Sequence, residues 1–95
     1  MLRYAVLSLA LVSAPAFAAG FQAETSSAPA QQRFVARDSI WRCVGTNCVS
    51  GNRTSTRPAI VCAALARQVG ALRSFSADGR AFGAEELQAC NARAR

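Results

Sequence analysis

Apolar residues crowd the front of the chain and then settle into short periods. After Met1-Leu2-Arg3, residues 4–12 form an apolar run broken only by Ser8, followed by Ser13-Ala14-Pro15-Ala16-Phe17-Ala18. A positive start, a short apolar stretch and small residues behind it make the pattern of a secretory signal peptide. Ala16-Phe17-Ala18 puts the cut after Ala18, with the position after Ala19 as the alternative. A membrane-spanning helix needs about 20 apolar residues, and this run meets Pro15 first. No cysteine lies near the cut, so a lipid-modified N-terminus is not expected. Residues 19–32 carry little apolar bulk and no sustained period, and read as a disordered spacer. The folding unit is then expected over residues 33–95, as one domain without internal repeats.

Within that unit the periods alternate between two residues and three to four. Residues 33–37 and 39–44 interleave β-branched and aromatic residues with polar ones and read as one strand, bulged near Asp38. Val44-Gly45-Thr46-Asn47 is turn chemistry, and Cys48-Val49-Ser50 returns antiparallel. Over residues 58–69, Cys62, Leu65 and Val69 follow i, i+3, i+7 spacing, with Val61 widening the stripe. Pro58 suits a first helical turn and Gly70 a helix end. Residues 71–76 alternate as a strand. Asp78-Gly79 is a strong hairpin signal, which sets Ala77 against Arg80 and Phe75 against Phe82. Residues 84–91 read as a second helix, with Glu85 and Glu86 in its first turn and Arg93 and Arg95 toward its end, as the helix dipole favours. The expected class is α+β: a small disulfide-stapled domain of two β-hairpins and two helices in the order ββ-α-ββ-α.

A domain this small buries a modest fraction of its surface and often needs a covalent or metal staple. Cys43, Cys48, Cys62 and Cys90 are an even set in a chain read as exported, which argues for two disulfides. Three pairings exist in principle. The turn between Cys43 and Cys48 places them opposite each other, near the separation a disulfide requires. Cys62 and Cys90 each lie on the inner stripe of a helix; Leu87, three residues before Cys90, shares its face. The pairing Cys43–Cys48 and Cys62–Cys90 is therefore favoured. The same spacing, with no second local Cys-x-x-Cys knuckle, speaks against zinc and against a redox exchanger, and no cofactor or metal is expected.

Charge sharpens the picture. All eleven basic residues are Arg, and the net charge is +6. Removing the leader takes away Arg3 and leaves ten Arg against Glu24, Asp38, Asp78, Glu85 and Glu86, about +5. The excess is uneven, since residues 33–57 hold Arg33, Arg37, Arg42, Arg53 and Arg57 against Asp38 alone. There is no His, which removes the commonest general base and the His-activated nucleophiles. A two-carboxylate glycosidase needs no His, but Glu85 and Glu86 are explained by a helix start and Asp78 by its turn. The chain reads as non-enzymatic.

What remains is binding. Arg33, Arg37, Arg42, Arg53 and Arg57 are the candidate residues, because guanidinium groups hold phosphate or carboxylate bidentately. Trp41 lies among them. Exposed, it would stack on a sugar or enter a membrane interface; buried, it is the largest core residue, which a small domain favours. Arg42 with Asp38 could equally be an ordinary surface ion pair. The expected partner is an anionic envelope polymer or lipid surface. The alternative is a protein partner, of a small inhibitor or envelope accessory subunit, contacted through Trp41 and the Cys43–Cys48 loop. Nucleic acid is disfavoured by the expected periplasmic or secreted location and by the lack of an aromatic-rich basic motif.

Trp41-Arg42-Cys43, Cys48, Arg57-Pro58-Ala59-Ile60-Val61-Cys62, Gly70-Ala71-Leu72-Arg73-Ser74-Phe75, Leu87 and Cys90-Asn91 together resemble an uncharacterised family of short exported four-cysteine proteins from alphaproteobacteria. The resemblance covers most of residues 33–91. It implies a shared fold and four shared cysteines, and it carries over no catalytic residue, substrate or partner.

Overall fold

The computed structural model describes residues 20–51 and 54–94. Its elements are β1 (Phe21–Thr25), β2 (Arg33–Ala36), β3 (Ser39–Val44), β4 (Asn47–Ser50), α1 (Pro58–Val69), β5 (Leu72–Ala77), β6 (Arg80–Ala81) and α2 (Ala84–Asn91). The strands make one antiparallel sheet in the order β2-β3-β4-β1-β5-β6. The class is α+β, with both helices where the periods put them and more strands than two hairpins supply.

Two expectations need correction. Residues 21–25 are not spacer: they form β1, which sits between β4 and β5. Phe21, Ala23 and Thr25 are buried while Gln22 and Glu24 face outward. The Phe21 ring lies 6.2 Å from Trp41 and 5.9 Å from Phe75. The strand is also tied at its start, where the Gly20 N–H donates to Asp78 Oδ1 at 2.9 Å and the Asp78 N–H donates to the Gly20 carbonyl at 2.8 Å. The folded unit thus begins by Gly20. The leader read over residues 1–18 lies outside the described residues.

The second correction concerns residues 33–44, which make two strands rather than one bulged strand. Ala36 pairs with Ser39 across a two-residue turn formed by Arg37 and Asp38. Arg37 takes φ of 58° there, a conformation that glycine adopts far more readily than an L side chain. Asp38 fastens the turn to the following loop by accepting from Thr54 Oγ1 at 2.8 Å and Thr56 Oγ1 at 3.2 Å. It makes no ion pair with Arg42.

Both disulfides form as the spacing favoured. Cys43 and Cys48 are directly opposed in the β3–β4 pairing, and Cys62 joins Cys90. In β5, a register shift against β1 between Glu24 and Thr25 lets Leu72 face inward along with Phe75 and Ala77. The last hairpin pairs Ala77 with Arg80, and the Phe75 and Phe82 rings lie 4.7 Å apart. Asn91, at the end of α2, accepts from the Leu72 N–H at 2.8 Å and donates to the Leu72 carbonyl at 2.9 Å. Its amide thereby pairs with β5 much as a strand would. The helices cover one face of the sheet, and Trp41, Leu65, Phe75, Leu72, Val61 and the Cys62–Cys90 bridge fill the space between. Among the described residues no element covers the other face of the sheet.

Candidate anion-binding groove

Folding divides the arginines that the sequence groups together. Arg33 and Arg42 are directly paired across β2 and β3 on the open face of the sheet. Arg37, in the turn, and Arg57, at the N-cap of α1, belong to the helix side. Arg53 lies outside the described residues. Trp41 is 0% exposed and faces the helices, so it is a core residue, with no surface for stacking. The protein-partner reading built on Trp41 loses that anchor.

On the helix side, α1 presents Ala59, Ile60, Ala63 and Ala64, and α2 presents Ala89 beside the Cys62–Cys90 bridge. Because these walls are mostly alanine, the surface between them sinks into a groove of about 550 Å³. Ile60 stays exposed within it and Phe82 is half-buried along it. Arg37, Arg67 and Arg93 also line this groove. A second depression of about 260 Å³ shares Ala59, Phe82 and Glu86 with the first and adds Arg57 and Arg80. Among the described residues, five arginines therefore line these two adjoining, largely apolar depressions, with a single carboxylate shared between them.

That carboxylate, Glu86, is already engaged, since its Oε1 accepts the Gly83 N–H at 2.9 Å at the start of α2. Among the described residues the one ion pair is Arg73 with Glu24, at 3.8 Å and well away from the groove. The five guanidinium groups are left to act on whatever enters. A depression of this size is within the range of small-ligand sites, roughly 300 to 1,000 Å³. Apolar walls with convergent arginines suit a molecule with an anionic head and an apolar body. All four cysteines are in disulfides, so none is available as a thiolate ligand or nucleophile.

Of the groove arginines, the sequence pointed to Arg37 and Arg57 and missed Arg67, Arg80 and Arg93. The missed signal is a joint one. Ile60, Ala63 and Arg67 follow i, i+3, i+7 on α1, and Glu86 and Ala89 on α2 keep that spacing with Arg93, two residues past its end. The bridge from Cys62 to Cys90 brings those two stripes side by side, so the pairing of cysteines already implied the pairing of arginines.

A model of a family of unknown function, DUF8200, matches residues 5–92. The chain belongs to that family. No curated protein and no solved structure matches it. Membership fixes neither activity nor partner, and the function has to be argued from the groove. The two disulfides mark an oxidising, non-cytoplasmic environment. Among the described residues no helix is long and apolar enough to cross a membrane.

Proposed function

We propose that the protein is an exported, non-enzymatic binding module that holds an anionic amphiphile of the cell envelope, a phosphate or carboxylate head with an apolar body, in the groove between α1 and α2. The observation that carries this reading is the five-to-one excess of arginine over carboxylate around an apolar depression. Export rests on the tripartite leader of residues 1–18, into which the family match extends, and on the two disulfides. The processed chain would begin at Ala19, directly ahead in sequence of the described residues, and would be periplasmic or secreted.

The non-enzymatic reading rests on the residue inventory and on how the acids are used. The chain has no His. Glu24 pairs with Arg73, Asp38 holds Thr54 and Thr56, Asp78 holds Gly20, and Glu86 caps α2. With those four engaged, Glu85 has no second carboxylate free to work with it.

The test is calorimetric titration of oxidised residues 19–95 with dodecyl phosphate below its micelle concentration. Saturable binding should weaken with added salt and fall at least ~10-fold in the Arg67→Gln/Arg93→Gln variant, since hydrogen bonds to charged groups contribute about 1.5 to 3 kcal/mol each. Absence of binding at low ionic strength, or affinity indifferent to both substitutions, removes the proposal.

A further inference from the structure

An antiparallel sheet with one covered face normally turns polar side chains to water on the other. The β1 and β5 half of the open face follows that rule, with Gln22, Glu24, Ser74 and Ser76 outward. The β2–β3–β4 half departs from it. Val35, Ile40, Val44 and Val49 are 59%, 49%, 80% and 47% exposed. Arg33 and Arg42 lie between them, because the Arg33–Arg42–Val49 row falls between the Val35–Ile40 row and the row that holds Val44.

The two arginines are closely set. The Cys43 N–H donates to the Gln32 carbonyl at 2.7 Å, which makes Arg33 and Arg42 a non-hydrogen-bonded pair, the kind with the nearer side chains. Like charges so opposed are destabilising, and no described carboxylate pairs with either of them. An anionic surface would relieve that repulsion and at the same time cover the aliphatic side chains beside it.

We infer that this half of the open sheet face docks on a lipid bilayer surface rich in anionic headgroups, with Arg33 and Arg42 on phosphates and the flanking Val and Ile side chains at the boundary with the acyl region. Peripheral attachment combines these same two ingredients, apolar burial and attraction to anionic lipid. A second copy of the chain is disfavoured as the occupant, because apposing two such faces would bring four guanidinium groups together. The site is separate from the groove and does not depend on its ligand.

The experiment is co-sedimentation of oxidised residues 19–95 with vesicles of phosphatidylglycerol and phosphatidylcholine, against vesicles of phosphatidylcholine alone. Circular dichroism and intact mass check that each variant is folded and doubly bridged. The inference expects binding to the anionic vesicles only. It expects about a 30-fold loss in Arg33→Gln/Arg42→Gln, from roughly 1 kcal/mol per basic residue at an anionic surface. A clear loss in Val35→Ser/Val49→Ser, and a loss in Arg67→Gln/Arg93→Gln well below that of Arg33→Gln/Arg42→Gln, complete the expected pattern. Failure of the wild-type chain to bind anionic vesicles at low salt overturns the inference and leaves a protein partner for this face. Equal losses in both arginine pairs overturn it in favour of bulk charge. Loss in the Arg67 and Arg93 variant alone overturns it while leaving the groove reading intact.

Discussion

Arg37 occupies a left-handed backbone position at the β2–β3 turn, where an L side chain costs roughly 1 to 2 kcal/mol per residue. Strain of that kind concentrates at functional positions, and here the strained residue lines the groove. Its neighbour Asp38 is the group whose acidity the fold changes most clearly. The hydrogen bond from Thr54, with help from Thr56, the backbone and the nearby Arg37 charge, holds its pKa below the ordinary 3.8. The fold therefore favours the carboxylate, and its contribution is complete above the unfolded value. It is lost as pH falls through 3.8 toward the lower folded value. The side chain is exposed, so the effect is small and confined to acid. Melting temperature followed from pH 7 downward should drop less steeply in Asp38→Asn than in the wild type below that point. Parallel acid limbs in the two proteins would mean that the Thr54 and Thr56 contacts do not hold in solution.

At the scale of elements, the helices, the Asp78-Gly79 hairpin and both disulfides were legible because each is specified by residues close in sequence or by a stripe that only one period explains. β1 was not. Phe21-Gln22-Ala23-Glu24-Thr25 does alternate, but only Phe21 has bulk, and the strand exists because β4 and β5 pair with it from both sides. The Arg37-Asp38 turn was missed for the opposite reason, since Arg at the left-handed position contradicts ordinary turn chemistry. Of the site, Arg37 and Arg57 were legible, Arg67 and Arg93 emerged only once the two helices were joined, and Arg80 only once β6 was placed beside the start of α1. That joining has a measurable weight. The loop closed by Cys62–Cys90 spans 28 residues and that of Cys43–Cys48 only 5, so loop entropy assigns the long bridge roughly 3 to 4 kcal/mol and the short one about 2. Cys62→Ser/Cys90→Ser should therefore lower the melting temperature more than Cys43→Ser/Cys48→Ser, which keeps hairpin pairing along β3 and β4. Equal or reversed losses would show that the hairpin, not the helix pair, is the element that needs its staple.

For the molecule as a whole, the arrangement turns on β1. The sheet order places it in the middle, so among the described residues the β2-β3-β4 ladder on one side and the β5-β6 ladder on the other are hydrogen-bonded into one sheet through it. Phe21 also completes the aromatic cluster with Trp41 and Phe75. Removing the strand would bare the facing edges of β4 and β5 and forfeit the burial of Phe21, on the order of 1.5 to 3 kcal/mol by itself. Domain stabilities run about 5 to 15 kcal/mol, and the lost backbone pairing comes on top. Residues 33–95 alone should consequently show no cooperative thermal transition by circular dichroism, whereas residues 19–95 melt cooperatively. Adding a peptide of residues 19–26 in trans should restore a transition that depends on peptide concentration. Gly20→Ala in the longer chain should act in the same direction, because a Cβ at Gly20 would run into the Ser50 carbonyl oxygen and φ of 102° already excludes most side chains. If residues 33–95 instead melt at the temperature of residues 19–95, residues 21–25 are the spacer their composition suggests, and the sheet closes by pairing β4 directly with β5.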